Sequence, residues 1–278
     1  MRPALIVRRA AYYLSRHDVE SPLPTAEILL AKVLGTDRAG LYVRDDGLSS
    51  AEAKRFGRAL CRRCVGVPLQ HLTGEQGFRR LTLVVKPGVF IPRPETEVLV
   101  ERALATVVDV PAPVVVDVGT GTGAIALAIK DECPDARVLA IDVSTDAVAL
   151  ARENALGSDL DIEILPGDLL DPLPVALRGA VDLIVSNPPY VREHELAALP
   201  REVRADPILA LAGGVDVYDR LFTQASHVLR RRGVVAVEIG ETQGPAIRAT
   251  ASEAGFVAVD VHLDLTGRDR VVTARMPT

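Results

Sequence analysis

The stretch Val181-Asp-Leu-Ile-Val-Ser-Asn-Pro-Pro-Tyr190 restricts the possible folds more than any other part of this chain. Residues 181–185 are apolar apart from Asp182 and rich in β-branched side chains. That composition suits a strand covered on both faces of a sheet. Pro188 and Pro189 follow at once. Neither can donate to a β ladder, and each fixes its own φ. The chain must therefore leave the sheet at Asn187 as a stiff extended segment. In an open α/β sheet that is the edge where ligands bind.

Asn187 offers an amide oxygen, and Pro188 offers a carbonyl with no N–H beside it. Together they suit the two N–H bonds of a planar –NH2 group on a carboxamide or an exocyclic amine. Tyr190 can stack on such a group. A plainer reading is an Asx-Pro turn that ends a strand. The segment by itself leaves both open.

A second stretch, Val114-Val-Val-Asp-Val-Gly-Thr-Gly-Thr-Gly-Ala-Ile-Ala-Leu-Ala128, reads as a buried strand, a tight turn and a helix from about Ala124. Glycine lets the backbone approach a ligand closely. The spacing is Gly-x-Gly-x-Gly, not the dinucleotide pattern, and no Lys-Ser/Thr follows as in a P-loop. The next strand, residues 137–142, ends in Asp142. Its distance beyond the glycines, about 20 residues, is that at which an acid meets ribose hydroxyls. A strand at 162–165 leads to Asp168 and Leu169, placed to meet an adenine amino group and ring. Each acid also has an ordinary reading as a helix cap or turn residue. Two strand-end acids after a glycine loop favour adenosine without a phosphate-binding device, as in S-adenosylmethionine.

Further strands are expected at 233–240, 256–261 and 271–275, with a helix at 243–254. The last two strands have no helix between them. Alternating strands and helices closing in this way imply an α/β fold whose seven-stranded parallel sheet carries one antiparallel strand. Residues 195–203 read as a loop or short helix.

Residues 1–75 read as a small helical bundle. Ala4, Leu5, Tyr12 and Leu14 mark a first helix, and Ser21-Pro-Leu-Pro-Thr25 reads as a break. A second helix runs through Leu29, Leu30, Val33 and Leu34 to a stop at Gly35. Ser49 or Ser50 caps a third, through Phe56 and Leu60. Cys61 and Cys64 have no second ligand pair, so two small side chains packing inward is expected rather than a metal site. Residues 76–92 read as a hairpin linker, with strands at 81–85 and 89–91 around Lys86-Pro87-Gly88. Pro92 and Pro94 hold Arg93 on an extended segment, either as an exposed loop charge or as a cationic contact to a carboxylate or an orienting hydrogen bond beside the active site. Glu95-Thr96-Glu97 opens a helix with acids in its first turn.

At 278 residues and 48% hydrophobic, the chain can bury a core for one large or two ordinary domains. A net charge of −5 argues against a life on duplex nucleic acid. No apolar run approaches membrane-spanning length. Arg8 and Arg9 interrupt the region where a signal peptide needs a clean apolar core. Three cysteines give no disulfide framework, so a reducing cytoplasm is the expected compartment.

The chain resembles the protein-(glutamine-N5) methyltransferase family that modifies peptide chain release factors. The resemblance rests on Pro68-Leu-Gln, Leu72-Thr-Gly-Glu75, Ile91-Pro-Arg-Pro-Glu-Thr-Glu97, Asp117-x-Gly-x-Gly-x-Gly123, Asn187-Pro-Pro-Tyr190 and Gly267-Arg-Asp-Arg-Val-Val272. It implies a Rossmann-like class I methyltransferase domain over residues 93–278 and a substrate-recruiting helical domain over 1–75. Gly119, Thr120, Gly121, Thr122 and Gly123 would then hold the methionine part of S-adenosylmethionine, and Asn187 would border it. Asp142 would hold the ribose, and Asp168 with Leu169 would flank the adenine. Asn187, Pro188, Pro189 and Tyr190, with Arg93 nearby, would grip the glutamine of a Gly-Gly-Gln loop. Asp206-Pro207 stands where the family usually has Glu-Pro, and His71 where Tyr is common. The partner is then a release factor, with no stable nucleic-acid or membrane association. The alternative is an adenine-N6 nucleic-acid methyltransferase, which would use the same grip on a flipped base. It would need a basic face and a target-recognition segment, and the sequence has neither.

Overall fold

The computed structural model describes residues 2–278, and its contacts divide the chain into two units. One holds the residues up to Glu75 together with Pro200–Ala205. The other holds Gln76–Leu199 and Asp206–Thr278. Among the described residues, no helix is long and apolar enough to cross a membrane.

The first unit is helical: α1 (Pro3–Ser15), α2 (Pro22–Leu34), the short α3 (Gly40–Val43), α4 (Ser50–Cys64) and α5 (Leu69–Thr73). Val7, Leu14, Leu29, Leu30, Leu41 and Phe56 form its core. Ser49 starts α4 with a reciprocal cap. Its hydroxyl accepts from Glu52 N at 3.3 Å, and Glu52 Oε2 accepts from Ser49 N at 2.7 Å. Gly35 ends α2 in the left-handed conformation.

Two expectations fail in this unit. The break expected at residues 21–25 is the first turn of α2, where Pro22 and Pro24 fit because that turn's N–H groups have no helical partner. Thr25 lies buried inside the helix. Cys61 does not pack inward but is exposed, while Cys64 is half-buried against the core. The buried face of α4 is set by Phe56 and Arg63, and Arg63 pairs with Glu202 of the returning segment.

The second unit begins with a two-stranded hairpin, β1 (Glu75–Phe78) and β2 (Leu81–Val84). It turns at Arg79, whose φ is +52°. This corrects the expected hairpin of residues 81–85 and 89–91. Val89 and Ile91 are buried, but not in a strand. Pro87 and Pro92 remove ladder donors on either side. The Ile91 N–H donates instead to a side chain, Asp206 Oδ1, at 3.2 Å.

The main sheet has the order β5-β4-β3-β6-β7-β9-β8. Its strands are β3 (Val114–Val118), β4 (Arg137–Asp142), β5 (Glu163–Pro166), β6 (Val181–Ser186), β7 (Leu229–Glu238), β8 (Val257–Leu263) and β9 (Asp269–Arg275). All are parallel except β9, which runs antiparallel to both its neighbours. The helices are α6 (Thr96–Val107), α7 (Ala124–Glu132), α8 (Thr145–Ser158), α9 (Ile208–Leu211), α10 (Val215–Val228) and α11 (Gly244–Glu253). The period of two sorts side chains to opposite faces. Val116, Leu139, Ile184 and Val235 join one core with Tyr218, Phe222 and Ile247 of α10 and α11. Val115, Ala140, Leu183 and Ala236 join the other with Leu99 and Leu127 of α6 and α7. Burying one such aliphatic side chain contributes about 1.5–3 kcal/mol. Every residue of β6 is buried, as a central strand requires.

The chain builds β3, β4 and β5 outward in one direction, then returns to place β6 on the other side of β3. The reversal opens a crevice between the carboxyl ends of β3 and β6, where open α/β sheets bind ligands.

Candidate active site at the carboxyl edge of the sheet

Val118 and Ser186 are register partners, so the glycine loop and the Asn-Pro-Pro-Tyr corner leave the sheet side by side. Ser186 Oγ donates to Val118 O at 2.7 Å and locks the two exits together. The next strands outward supply Asp142 at the end of β4 and Asp168 beyond β5. On the far side β7 ends at Glu238.

Gly119, Gly121 and Gly123 all have positive φ (+73°, +56° and +84°), a region that side-chain-bearing residues avoid. The loop's amides turn inward. Gly119 N and Thr120 N donate to Ile141 O, Gly121 N to Asp142 Oδ2 at 2.8 Å, and Gly123 N to Thr120 O. A phosphate nest would need those donors free, so this loop fits a ligand without phosphate. Gly119 is exposed, with open space where a Cβ would stand.

Beneath the loop lies Asp117, fully buried. Its Oδ2 accepts from Thr120 Oγ1 at 2.6 Å and from Ala126 N at 3.1 Å, while Oδ1 has no partner among the described residues. Burial pushes its carboxyl up to about 7, against those two hydrogen bonds. Asp142 is half-buried. Its two oxygens accept from Gly121 N and, at 2.9 Å, from Ser144 N. Burial raises its pKa, and those two donors hold it down. Each oxygen keeps a lone pair for a further donor. Asp168 is exposed and its carboxylate is engaged by Arg220. Leu169, beside it, adopts a φ of +46°.

On the β6 side, Asn187 is half-buried and donates through Nδ2 to Thr96 Oγ1 at 3.3 Å. That leaves Asn187 Oδ1 as the acceptor end. Pro188 is buried, and Pro189 and Tyr190 are half-buried. The Tyr190 hydroxyl donates to Glu238 Oε1 at 3.5 Å, and Gln243 Nε2 donates to Tyr190 O at 3.1 Å. Burial and the neighbouring Glu238 raise the Tyr190 pKa, so the phenol keeps its proton. Glu238 is itself buried. Burial pushes its carboxyl up to about 7, while Thr96 and Arg270 pull it down. Arg93 has a carboxylate partner, the protein's own buried Asp206, and lies 5.2 Å over the Phe90 ring.

The sequence-predicted residues on β3, β4, β5 and β6 thus share one sheet edge. Sequence reasoning missed Thr96, Glu238 and Asn154 as parts of this edge. Asn154, buried in α8, donates to Thr122 O at 2.9 Å and to Val84 O at 3.0 Å, pinning the glycine loop from behind. An uncharged amide inside an otherwise apolar helix face was the only signal for it.

Residues 80–205 match the family model "Methyltransferase small domain", and residues 6–74 match "PrmC N-terminal domain". The release factor glutamine methyltransferase of Moorella thermoacetica is 42% identical over 269 residues, covering 94% of this chain and 94% of that one. That of Deinococcus radiodurans is 42% identical over 275 residues, covering 97% of each. This chain belongs to the release factor glutamine methyltransferases. A crystal structure of a methyltransferase from Pyrococcus furiosus, 15% identical, superposes with a TM-score of 0.51 over 81% of this chain and all of that one, a likeness of fold. Membership in the family extends through both units. The helical unit is thus as much a family feature as the sheet.

Proposed function

We propose that this protein transfers a methyl group from S-adenosylmethionine to the side-chain amide nitrogen, N5, of the glutamine in the Gly-Gly-Gln motif of peptide chain release factors. The observation that supports this reading is the pairing of Val118 with Ser186, which sets the glycine loop beside the Asn-Pro-Pro-Tyr corner. The residues fit the cofactor: inward-turned loop amides, an exposed Gly119 backbone and lone pairs on Asp142.

In this reading residues 119–123 hold the methionine part, Asp142 accepts from the ribose, and Asp168 with Leu169 borders the adenine. Bound S-adenosylmethionine supplies an electrophilic methyl group on a sulfonium. Asn187 Oδ1 and the Pro188 carbonyl accept the two N–H bonds of the glutamine amide. Tyr190 lies against its flat face. An amide nitrogen is a poor nucleophile because its lone pair is delocalised. Two acceptors on its hydrogens hold the group in one orientation, with that lone pair turned toward the cofactor crevice. Holding the amide there supplies much of the rate. The nitrogen loses a proton once methylated, and water accepts it. Arg93 shapes the rim through its pair with Asp206. Residues 1–75 recruit the release factor, and the reaction belongs to the cytoplasm.

The test is mass spectrometry of a purified release factor after incubation with the protein and S-adenosylmethionine. One added methyl on the Gly-Gly-Gln glutamine is expected, and none with Asn187→Ala, which should still bind the cofactor. Methylation elsewhere on the factor, or wild-type activity in Asn187→Ala, overturns the assignment.

A further inference from the structure

We infer that Ile208 and Leu209 of α9 form an apolar foothold for the release factor beside the Asn-Pro-Pro-Tyr corner, and so set KM for that substrate. This rests on the reading that the corner receives the glutamine of the Gly-Gly-Gln motif.

That motif leaves most of the recognition to other contacts. Its two glycines offer no side chain, and glycine loses more conformational freedom on ordering than any other residue. The glutamine amide adds only two N–H bonds. A protein substrate held in this way must gain its affinity from surface away from the reacting group, through contacts made equally in the ground and transition states.

α9 carries such a surface. Ile208 is 71% exposed and Leu209 is 63% exposed. A single exposed apolar side chain is ordinary, but two adjacent ones beside a candidate site mark a surface made for a partner. The helix is one turn long, closed by Ala210 N donating to Pro207 O at 2.9 Å and Ala212 N to Ile208 O at 2.7 Å. Leu211 turns inward and is buried, which leaves Ile208 and Leu209 to face outward.

The turn is held at both ends. Before it, buried Asp206 accepts from Ile91 N at 3.2 Å and pairs with Arg93. After it, Ala212 forms a parallel bridge with Val191. Val191 N donates to Leu211 O at 3.0 Å, and Gly213 N donates to Val191 O at 2.9 Å. Gly213 also packs against the Pro189 carbonyl. Val191 follows Tyr190 directly in the chain, so α9 and the corner are tied into one piece. Leu209 precedes Ala212 by three helical residues and lies within about 10 Å of Val191. A release factor whose glutamine enters the corner therefore brings its own surface over this pair. The occupant is apolar surface of the release factor near its Gly-Gly-Gln loop, because neither side chain offers a hydrogen bond or a charge.

The experiment uses the full-length protein and a purified release factor. The double variant Ile208→Asn with Leu209→Asn removes the apolar surface, and Ile208→Met with Leu209→Met keeps it. Leu156→Asn is the control. Leu156 is 85% exposed near the end of α8, and α8 runs from the carboxyl end of β4 back toward the start of β5, so Leu156 stands at the opposite edge of the sheet. Steady-state methylation gives kcat and KM, and calorimetry gives S-adenosylmethionine affinity. The Asn pair should raise KM for the release factor about tenfold, with kcat and cofactor affinity within about twofold. Tenfold corresponds to about 1.4 kcal/mol, within reach of two partly covered aliphatic side chains. The Met pair and Leu156→Asn should keep the wild-type KM within about twofold.

An unchanged KM in the Asn pair overturns this inference and leaves the methylation reading standing. So does an equal rise in Leu156→Asn, or a fall in kcat at constant KM, which would make the pair a support of the corner. A wild type that sediments as a dimer, with the Asn pair monomeric and its KM unchanged, assigns the surface to a second copy and also overturns it. If the wild type methylates no release factor glutamine, both readings fall. If the Asn pair does not bind the cofactor, cross-linking decides. A photoreactive side chain placed at position 209 should capture the purified release factor and one at position 156 should not, and no capture from position 209 refutes the inference.

Discussion

Gly213 and the carbonyl of Pro189 are packed so closely that a Cβ built on Gly213 would overlap the Pro189 oxygen. Gly213 N also donates to Val191 O at 2.9 Å, and Val191 N donates to Leu211 O at 3.0 Å. The segment before α10 therefore braces the Asn-Pro-Pro-Tyr corner from one side. Any side chain at position 213 must push that corner away. In Gly213→Ala, kcat/KM for a release factor should fall about 100-fold, the usual cost of a displacement near 1 Å at a reacting group. With the cofactor proposed to lie on the glycine-loop side of the crevice, its affinity should change by less than about threefold. Steady-state kinetics and calorimetry on the same preparation check both halves.

Asp142 braces the glycine loop and, in the proposed reading, would also meet the cofactor. Its Oδ2 fixes Gly121 N and its Oδ1 fixes Ser144 N at the start of α8. Asp142→Ala removes an anionic acceptor from two backbone donors and, in the proposed reading, from the ribose. Hydrogen bonds to a charged group are worth about 1.5–3 kcal/mol. S-adenosylmethionine affinity should therefore drop roughly tenfold to more than a hundredfold by calorimetry. Asp142→Asn, which keeps one oxygen, should lose less. Equal affinity in Asp142→Ala and wild type would remove Asp142 from the cofactor site.

The parts of this site legible in the sequence are those in which one short segment carries its own geometry. Residues 181–190 encode a buried strand and a proline-stiffened exit, and both stand as read. The glycine loop likewise contains its own turn. The parts that escaped are side chains whose partners lie far along the chain. Thr96 is 91 residues from Asn187, and Asn154 is 70 residues from Val84. Thr96 reads as an ordinary helix-start residue and Glu238 as a strand-end acid until β6 and β7 are laid side by side. The hairpin was misplaced for a related reason. Val89 and Ile91 alternate as a strand would, but Ile91 N bonds to Asp206, 115 residues away, and not to a ladder.

Glu238 should make stability depend on pH in an unusual sense for a carboxylate. Its folded pKa is raised from 4.5 to about 7 by burial. Between those values the folded state binds the extra proton, so stability falls as pH rises through this window. The shift corresponds to about 3 kcal/mol at about 1.4 kcal/mol per unit. Asp117, raised from 3.8 to about 7, acts in the same direction. Denaturant unfolding at pH 5 and pH 8 should show the wild type weaker at pH 8. Glu238→Gln, which does not titrate, should shrink that difference by roughly 2–3 kcal/mol. A Glu238→Gln variant with the wild-type pH profile would mean that the carboxyl is not raised.

Arg93 and Asp206 test whether the arginine meets the substrate or only the protein. The Asp206 side chain is fully buried, and it holds both Arg93 and the Ile91 N–H. Removing one partner of a buried pair leaves the other charge uncompensated, typically at a cost of about 3–5 kcal/mol. Asp206→Ala should approach that loss. Arg93→Ala should cost less, because the Arg93 side chain is 26% exposed. The double variant should be more stable than the sum of the two losses predicts, by about 2 kcal/mol, because the pair is lost only once. Kinetics then separate the two roles. If Arg93 acts only through Asp206, a charge-neutral pair that keeps the fold, such as Arg93→Gln with Asp206→Asn, should retain release-factor kcat/KM. If the guanidinium also contacts the substrate, that pair should fold and bind cofactor while KM for the release factor rises about tenfold, as expected for one lost charge-assisted hydrogen bond.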